Sequence, residues 1–429
     1  MERVPETWSR REILQASAAV YANFAFNGSV ASPSLTPDAP AVKTGLESLI
    51  EQEFAPLRDK RVGLITNPTG ITSGLRSAID VLASAPAVKL TALFGPEHGV
   101  RGDVPAGRGV ENSRDPRTGV PVFSLYGRVK KPTAAMVGGL DALVFDMQDI
   151  GARSYTYITT MGLCMEAAAE NRLPFYVLDR PNPIGGERVE GNLLDLRFRS
   201  AVGAYPIPYC HGMTVGELAR MINEKGWLAN GARCRLTVIP MRGYRRAMRW
   251  EETGLPWVPT SPHIPHPRTA FYYAATGIAG ELPSLSIGVG YTLPFELAGA
   301  PGVGAERMAD ELNRRGLKGV RFRAVYWRPF YAAFQGQLCG GTQIYLTGPA
   351  QAELTRINFE ILDALRRISP ARPLFGTSKN GDRMFDLVCG TDVVRRQLLA
   401  GRSAERIWTE WNAGSRAFRS ARQPFLLYP

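Results

Sequence analysis

Apolar positions follow two rhythms along the chain. From about Thr44, short runs rich in Val, Ile, Leu and Phe alternate with stretches of helical length. Continuous apolar runs suit strands covered on both faces, and their alternation with helical periods predicts βαβ units around a parallel sheet. The strands predicted in this way are Arg61–Thr66, Lys89–Phe94, Ala142–Phe145 and Phe175–Leu178, with Arg235–Pro240 closing the set. Helices are predicted over Ser77–Ser84 and Thr159–Asn171. The Pro-rich stretch from Pro256 to Pro267 then marks a boundary or hinge.

Beyond it the pattern changes. Arg307–Arg315 reads as a helix, while Val320–Trp327 and Thr342–Leu346 read as strands. Leu354, Ile357, Ile361, Leu365 and Ile368 recur at helical spacing, so Gln351–Ile368 is predicted to be an amphipathic helix ending before Pro370. Thr391–Ala400 and Ser403–Phe418 read as further helices before an apolar tail, Phe425-Leu426-Leu427-Tyr428. The predicted architecture is therefore a Rossmann-like α/β domain over residues 44–260, followed by a smaller α+β domain over residues 261–429.

The first residues read as an address. Ser9-Arg10-Arg11-Glu12-Ile13-Leu14-Gln15 resembles a twin-arginine export motif, a weakly apolar stretch runs from Ala16 to Phe26, and Ser29-Val30-Ala31 offers a small-residue cleavage site. Residues 1–31 are thus expected to be a signal peptide and residues 32–43 a Pro-rich linker, which predicts a periplasmic or secreted protein. The mature chain has no apolar run long enough for a membrane span.

Charge adds one constraint. The formal net charge is +12, from 51 Lys and Arg against 39 Asp and Glu. An excess of this kind suits any anionic polymer, but no basic stretch interleaved with aromatics points to nucleic acid. The five cysteines (Cys164, Cys210, Cys234, Cys339 and Cys389) form no CxxC pair and read as small buried apolar side chains. No metal-ligand spacing and no cofactor fingerprint is present, so no cofactor is expected.

In open parallel sheets ligands bind beyond the carboxyl ends of the strands. Four predicted strands end in polar groups. The first runs into Asn67-Pro68-Thr69-Gly70, and the second into Glu97-His98 followed by Arg101 and Asp103. The third runs into Asp146-Met147-Gln148-Asp149, with Arg153, Tyr155 and Tyr157 beyond, and the fourth into Asp179-Arg180-Pro181-Asn182. Plainer readings exist for three of them. Asn67 to Gly70 is good turn chemistry, Asp179 could cap its loop, and Asp149 could pair with Arg153.

The chain has no GxSxG, no Ser-x-x-Lys, no reactive-cysteine context and no P-loop, so acyl and phosphoryl transfer lack their equipment. Several carboxylates with His, Arg and Tyr partners remain. Glycoside hydrolysis uses such a set: a protonated carboxyl donates to the leaving oxygen while a second group handles the anomeric carbon.

Several stretches carry a specific resemblance: Gly63 to Gly70, Leu93 to Gly102, Phe145 to Tyr157, Asp179 to Pro183, Val189-Glu190-Gly191, Pro206 to Thr214, Pro294-Phe295-Glu296, Gly299-Ala300-Pro301, and Phe425 to Tyr428. Over residues 44–429 the chain resembles the exo-β-N-acetylmuramidases of glycoside hydrolase family 171. The resemblance implies a cleft between a Rossmann-like and an α+β domain, and removal of N-acetylmuramic acid from the ends of peptidoglycan fragments. It also implies that Glu97, in Pro96-Glu97-His98-Gly99, is the leading catalytic candidate.

One stretch departs from the family. Where many members carry Ser-Glu-Gly-Arg-Gly-Thr, this chain has Ser286-Ile287-Gly288-Val289-Gly290-Tyr291-Thr292. An arginine that would suit the lactyl carboxylate of muramic acid is replaced by Val289, and Arg101, Arg153 and Arg180 are the candidates to substitute for it. The expected roles are Glu97 as general acid and His98 as its orienter or a sugar contact. Asp146 or Asp149 would stabilise the anomeric centre or orient the substrate's acetamido group. Asn67, Arg101, Gln148, Arg153, Tyr157, Asp179, Arg180 and His211 are the expected substrate contacts. The rival readings are a hexosaminidase for another amino sugar and a non-catalytic receptor for wall fragments.

Overall fold

The computed structural model describes residues 42–96, 99–102 and 113–429. Glu97, His98 and the N-terminal export motif lie outside the described residues.

Thr44 opens the first helix, α1 (Gly45–Glu51), with a capping box in which Thr44 and Glu47 satisfy each other's backbone amides. The predicted alternation then unfolds in order: β1 (Arg61–Thr66), α2 (Ala78–Ser84), β2 (Lys89–Gly95), the two-residue β3 (Ser113–Arg114), β4 (Pro121–Ser124), α3 (Ala134–Val137), β5 (Ala142–Asp146), α4 (Tyr157–Glu170), β6 (Pro174–Leu178), α5 (Val215–Glu224) and β7 (Arg235–Ile239). They build one seven-stranded sheet in the order β3-β4-β2-β1-β5-β6-β7, parallel except for β3 at its edge.

Period-two alternation explains why the central strands β1, β5 and β6 are apolar over most of their length. Val62, Leu64, Val144, Tyr176 and Leu178 join Leu46, Leu49, Ile79 and Leu82 from α1 and α2 on one face. Their neighbours Ile65, Leu143, Phe145, Phe175 and Val177 join Ile158, Met161 and Leu218 from α4 and α5 on the other. Both faces are covered, so both sets of side chains must be hydrophobic.

The second half begins at α6 (Pro267–Thr276), where Pro267 occupies a first-turn position that needs no amide hydrogen. Next come β8 (Leu297–Pro301), α7 (Ala305–Arg314), β9 (Val320–Trp327), β10 (Cys339–Leu346) and α8 (Leu354–Ile368). The last helices are α9 (Lys379–Cys389), α10 (Val393–Leu399), α11 (Ala404–Trp411) and α12 (Ser415–Ala421). The three strands form an antiparallel sheet, β8-β10-β9. The stripe Leu354, Ile357, Ile361 and Leu365 is buried in the same apolar cluster as Phe145 and Met161, so the larger core runs without a break from the parallel sheet into the C-terminal half. The helix expected over Ser403–Phe418 is two helices, because the chain turns through Asn412-Ala413-Gly414 between α11 and α12.

All five cysteines are free and buried. No helix among the described residues is long and apolar enough to cross a membrane.

Candidate active site

Setting β3 aside, the strand order β4-β2-β1-β5-β6-β7 reverses direction between β1 and β5. Chain leaving β1 turns toward one edge of the sheet and chain leaving β5 toward the other. This opens a crevice beyond their carboxyl ends. Thr66 and Asp146 are register partners at that point, and the Thr66 hydroxyl donates to the Asp146 carbonyl at 2.8 Å. Asn67 Oδ1 accepts the Thr69 amide at 3.0 Å and the Thr69 hydroxyl at 2.5 Å, an Asx turn. The Thr69 oxygen accepts in turn from the Gln148 amide at 2.9 Å, which stitches the two strand-end loops together. Gly70 permits this approach, since a Cβ there would meet Thr66 Oγ1 at 2.2 Å and the Asp146 carbonyl oxygen at 2.9 Å. Thr69, Gln148 and Arg180 line a narrow crevice together with Trp250 and Trp257.

Asp146 and Arg180 satisfy each other. Arg180 Nε donates to Asp146 Oδ1 at 2.6 Å and Nη2 to Oδ2 at 2.9 Å, and Nη2 also reaches the Ile71 carbonyl at 2.9 Å. Burial pushes the Asp146 carboxyl above its ordinary range, against the pull of the guanidinium beside it. With both its oxygens held, Asp146 fixes the rim.

The next turn is different. Asp149 Oδ2 accepts the Gly151 amide at 2.7 Å, and Gln148 Nε2 donates to the Asp149 and Pro181 carbonyls at 2.7 and 2.6 Å. His211 enters from the loop before α5 and places Nε2 at 3.7 Å from Asp149 Oδ2. The backbone amide of Met213 donates to His211 Nδ1 at 3.1 Å, so the proton of the neutral ring sits on Nε2, facing the carboxylate. Gln148 Oε1, Asp149 Oδ1 and His211 Nε2 are all buried and have no hydrogen-bond partner among the described residues. Each such orphan costs on the order of 1–3 kcal/mol when left unpaired, so these three, gathered beside the crevice, leave hydrogen-bonding capacity for a polar ligand.

The remaining predicted residues are committed to structure. Arg101 makes a two-pronged contact to Asp115 at 2.8 and 3.0 Å and reaches Asp80 at 3.1 Å. Arg153 is buried and donates to the carbonyls of Asn192, Ile207 and Val388, tying the strand-end loop to α9. Desolvation lowers its guanidinium to about 10. It makes no pair with Asp149. Asp179 accepts from the Gly216 amide at 2.8 Å, the Thr214 hydroxyl at 2.7 Å and the Tyr428 hydroxyl at 2.5 Å, and burial pushes its carboxyl up to about 6. It therefore anchors both the start of α5 and the C-terminal tail. Tyr157 donates to the Thr260 carbonyl at 2.5 Å and Tyr155 to the Thr260 hydroxyl at 2.7 Å. These two rings pack edge-to-face and together hold Thr260.

One carboxyl escaped sequence reasoning. The carboxyl of Glu281, in the turn after α6, makes no hydrogen bond or ion pair among the described residues, and burial pushes it up to about 7. Its charge is felt by Tyr209 and Tyr273, whose hydroxyls each lie 3.0 Å from Ser154 Oγ. A lone glutamate in a Gly-Glu-Leu-Pro turn gives no local signal of this environment. Among the described residues no cluster of His, Cys, Asp and Glu could hold a metal ion.

Comparison with known proteins agrees with this architecture. Two family models match in tandem, the N-terminal part of exo-β-N-acetylmuramidase NamZ over residues 62–268 and the C-terminal part over residues 271–428. A curated relative, the peptidoglycan β-N-acetylmuramidase NamZ of Bacillus subtilis (strain 168), is 41% identical over 408 residues, which span 94% of this chain and 96% of that protein. Two crystal structures of DUF1343 family proteins from Bacteroides fragilis superpose with TM-scores of 0.87 and 0.73. The first is 47% identical and covers 91% of this chain and 99% of its own; the second is 31% identical and covers 90% and 99%. With matches to both family models along nearly all of the described sequence, the chain belongs to the exo-β-N-acetylmuramidase NamZ family of glycoside hydrolases.

Proposed function

We propose that this protein removes terminal β-N-acetylmuramic acid from peptidoglycan fragments outside the cytoplasm. The observation that carries the reading is the trio of buried atoms on Gln148, Asp149 and His211 that have no hydrogen-bond partner among the described residues, at the switch point of the sheet. Two of the three orphans, Gln148 Oε1 and Asp149 Oδ1, are acceptors. Together they suit the hydroxyl and acetamido N–H donors of an amino sugar.

In this account Glu97 is the general acid that protonates the leaving oxygen, and His98 orients it or contacts the sugar. Asp149 carries the negative charge facing the anomeric centre or holds the substrate's acetamido N–H so that its carbonyl can attack. His211 steadies Asp149 through its Nε2 proton, and Gln148 fixes the sugar. Arg101, Arg153 and Arg180 are each engaged within the protein, which weighs against them as replacements for the family's arginine, where this chain has Val289. The export motif at Arg10-Arg11 supports a periplasmic or secreted location.

The test is release of p-nitrophenol from p-nitrophenyl N-acetyl-β-muramide, with the N-acetyl-β-glucosaminide as control. Preferential turnover of the muramide is the expected result. Turnover of the control alone would make the protein a hexosaminidase for another sugar, and binding of muropeptides without turnover would make it a receptor.

A further inference from the structure

The connection between β9 and β10 presents aromatic rings to solvent. Phe330 is 64% exposed and Tyr331 50% exposed. Isolated exposed apolar side chains are ordinary, but these two sit on a fixed loop beside two further rings. Tyr291 lies against Phe330 with ring centroids 5.5 Å apart, and His263 stacks on Tyr331 at 6.0 Å with its Nε2 3.0 Å from the Tyr331 hydroxyl.

The loop is held, not loose. The Phe330 amide donates to the Gly290 carbonyl at 2.7 Å, the Gly336 amide to the Pro329 carbonyl at 2.9 Å, and Arg328 to the Gly336 carbonyl at 3.0 Å. Ala332 and Phe334 both take left-handed backbone angles, φ 63° and 59°. Gly290, at φ 88°, allows the closest approach, because a Cβ there would lie 2.0 Å from the Tyr331 carbonyl oxygen. The stretch that departs from the family pattern, Ile287 to Thr292, is thus the seat of this aromatic loop.

One segment ties the patch to the site. Tyr155, on which Asp149 acts electrostatically, and Tyr157 hold Thr260, and three residues on in sequence His263 stacks on Tyr331. Pyranose rings carry an apolar C–H face and a hydroxyl rim, which matches an aromatic surface edged with phenol groups.

Resting on the glycosidase reading above, we propose that Phe330 and Tyr331, backed by Tyr291 and His263, form a platform for the pyranose residues on the leaving-group side of the cleaved linkage. A polymer then binds its sugars beyond the terminal one by stacking, and the aromatic loop sets the preference for longer fragments.

The experiment compares kcat/KM on an N-acetylmuramic-acid-capped tetrasaccharide with that on p-nitrophenyl N-acetyl-β-muramide, for wild type and for Phe330→Ala with Tyr331→Ala. Loss of two stacking contacts predicts that the tetrasaccharide-to-aryl-glycoside ratio falls about tenfold, chiefly through KM. Phe330→Tyr, which keeps the ring, should hold the wild-type ratio. An unchanged ratio in the double variant overturns the platform. So does a wild-type dimer, seen by sedimentation velocity, that the double variant dissolves, since the rings would then be an interface between copies. Should wild type turn over neither substrate, the glycosidase reading falls by itself. Calorimetric titration of the tetrasaccharide then decides the platform: about tenfold weaker binding by the double variant supports it, and equal binding overturns it.

Discussion

His211 faces Asp149 with Nε2 3.7 Å from Oδ2, while its other nitrogen accepts from the Met213 amide. A backbone N–H can only donate, so the tautomer follows from geometry alone. The imidazole has one task available, to donate to the carboxylate or to a group between them.

From this arrangement His211→Phe should lower kcat by about 10- to 100-fold, the range seen when an orienting partner is removed from a functional group. KM should change less, because the ring does not need to touch the sugar to act. Steady-state kinetics on the aryl muramide checks the split, and a fall confined to KM would make His211 a sugar contact instead.

Glu97→Gln removes the proton donor but keeps the size of the side chain. The expected loss is about 10²- to 10⁴-fold in kcat on a sugar leaving group. It should be smaller on p-nitrophenol, which leaves without protonation. Activity within a few-fold of wild type on both substrates would end the assignment of Glu97 as the acid.

Asp146 and Arg180 form a buried, two-pronged pair. Arg180→Met leaves the carboxylate alone in the core and should cost about 3–5 kcal/mol, read from urea denaturation. Adding Asp146→Leu should recover much of that loss, since two apolar groups replace the pair. A single-variant cost near zero would mean that water reaches Asp146.

Glu281 gives a pH dependence with a definite sign. Its carboxyl is raised from 4.5 to about 7 in the folded protein. A raised folded value favours the protonated native state, so this contribution is full below about pH 4.5 and is lost as pH rises through 7. Linkage puts the effect at up to about 3 kcal/mol, and Glu281→Gln should flatten the decline in stability between pH 5 and 8. Asp179, raised to about 6, acts in the same direction and remains in the variant, so some slope persists. Denaturant midpoints across that range provide the check.

Much of this fold is legible in the chain. Arg61–Thr66 shows as a continuous run because its interior is buried on both faces, whereas Val320–Trp327 shows by alternation, with Val320 and Phe322 buried between the exposed Arg321 and Arg323. β4 escapes because Pro121-Val122-Phe123-Ser124 is too short to show a period, and α6 starts at Pro267, where the Pro-rich boundary ends. The rim of the site is legible too, since polar residues must follow each strand. Which of them are free is not. Arg153 is consumed by the carbonyl of Val388, more than two hundred residues away in sequence. Asp179 is likewise taken by Tyr428, and no local pattern announces such partners. Asp149 and Arg153 have helix-compatible spacing yet go to different neighbours, because the chain turns at Gly151 between them.

The most direct test of the account replaces Asp149 with Asn, which keeps the shape and removes the charge. Turnover of p-nitrophenyl N-acetyl-β-muramide by this variant should fall about 10²- to 10⁴-fold while its thermal midpoint stays near that of wild type. Turnover within a few-fold of wild type would contradict the placement of the chemistry at the crevice between β1 and β5.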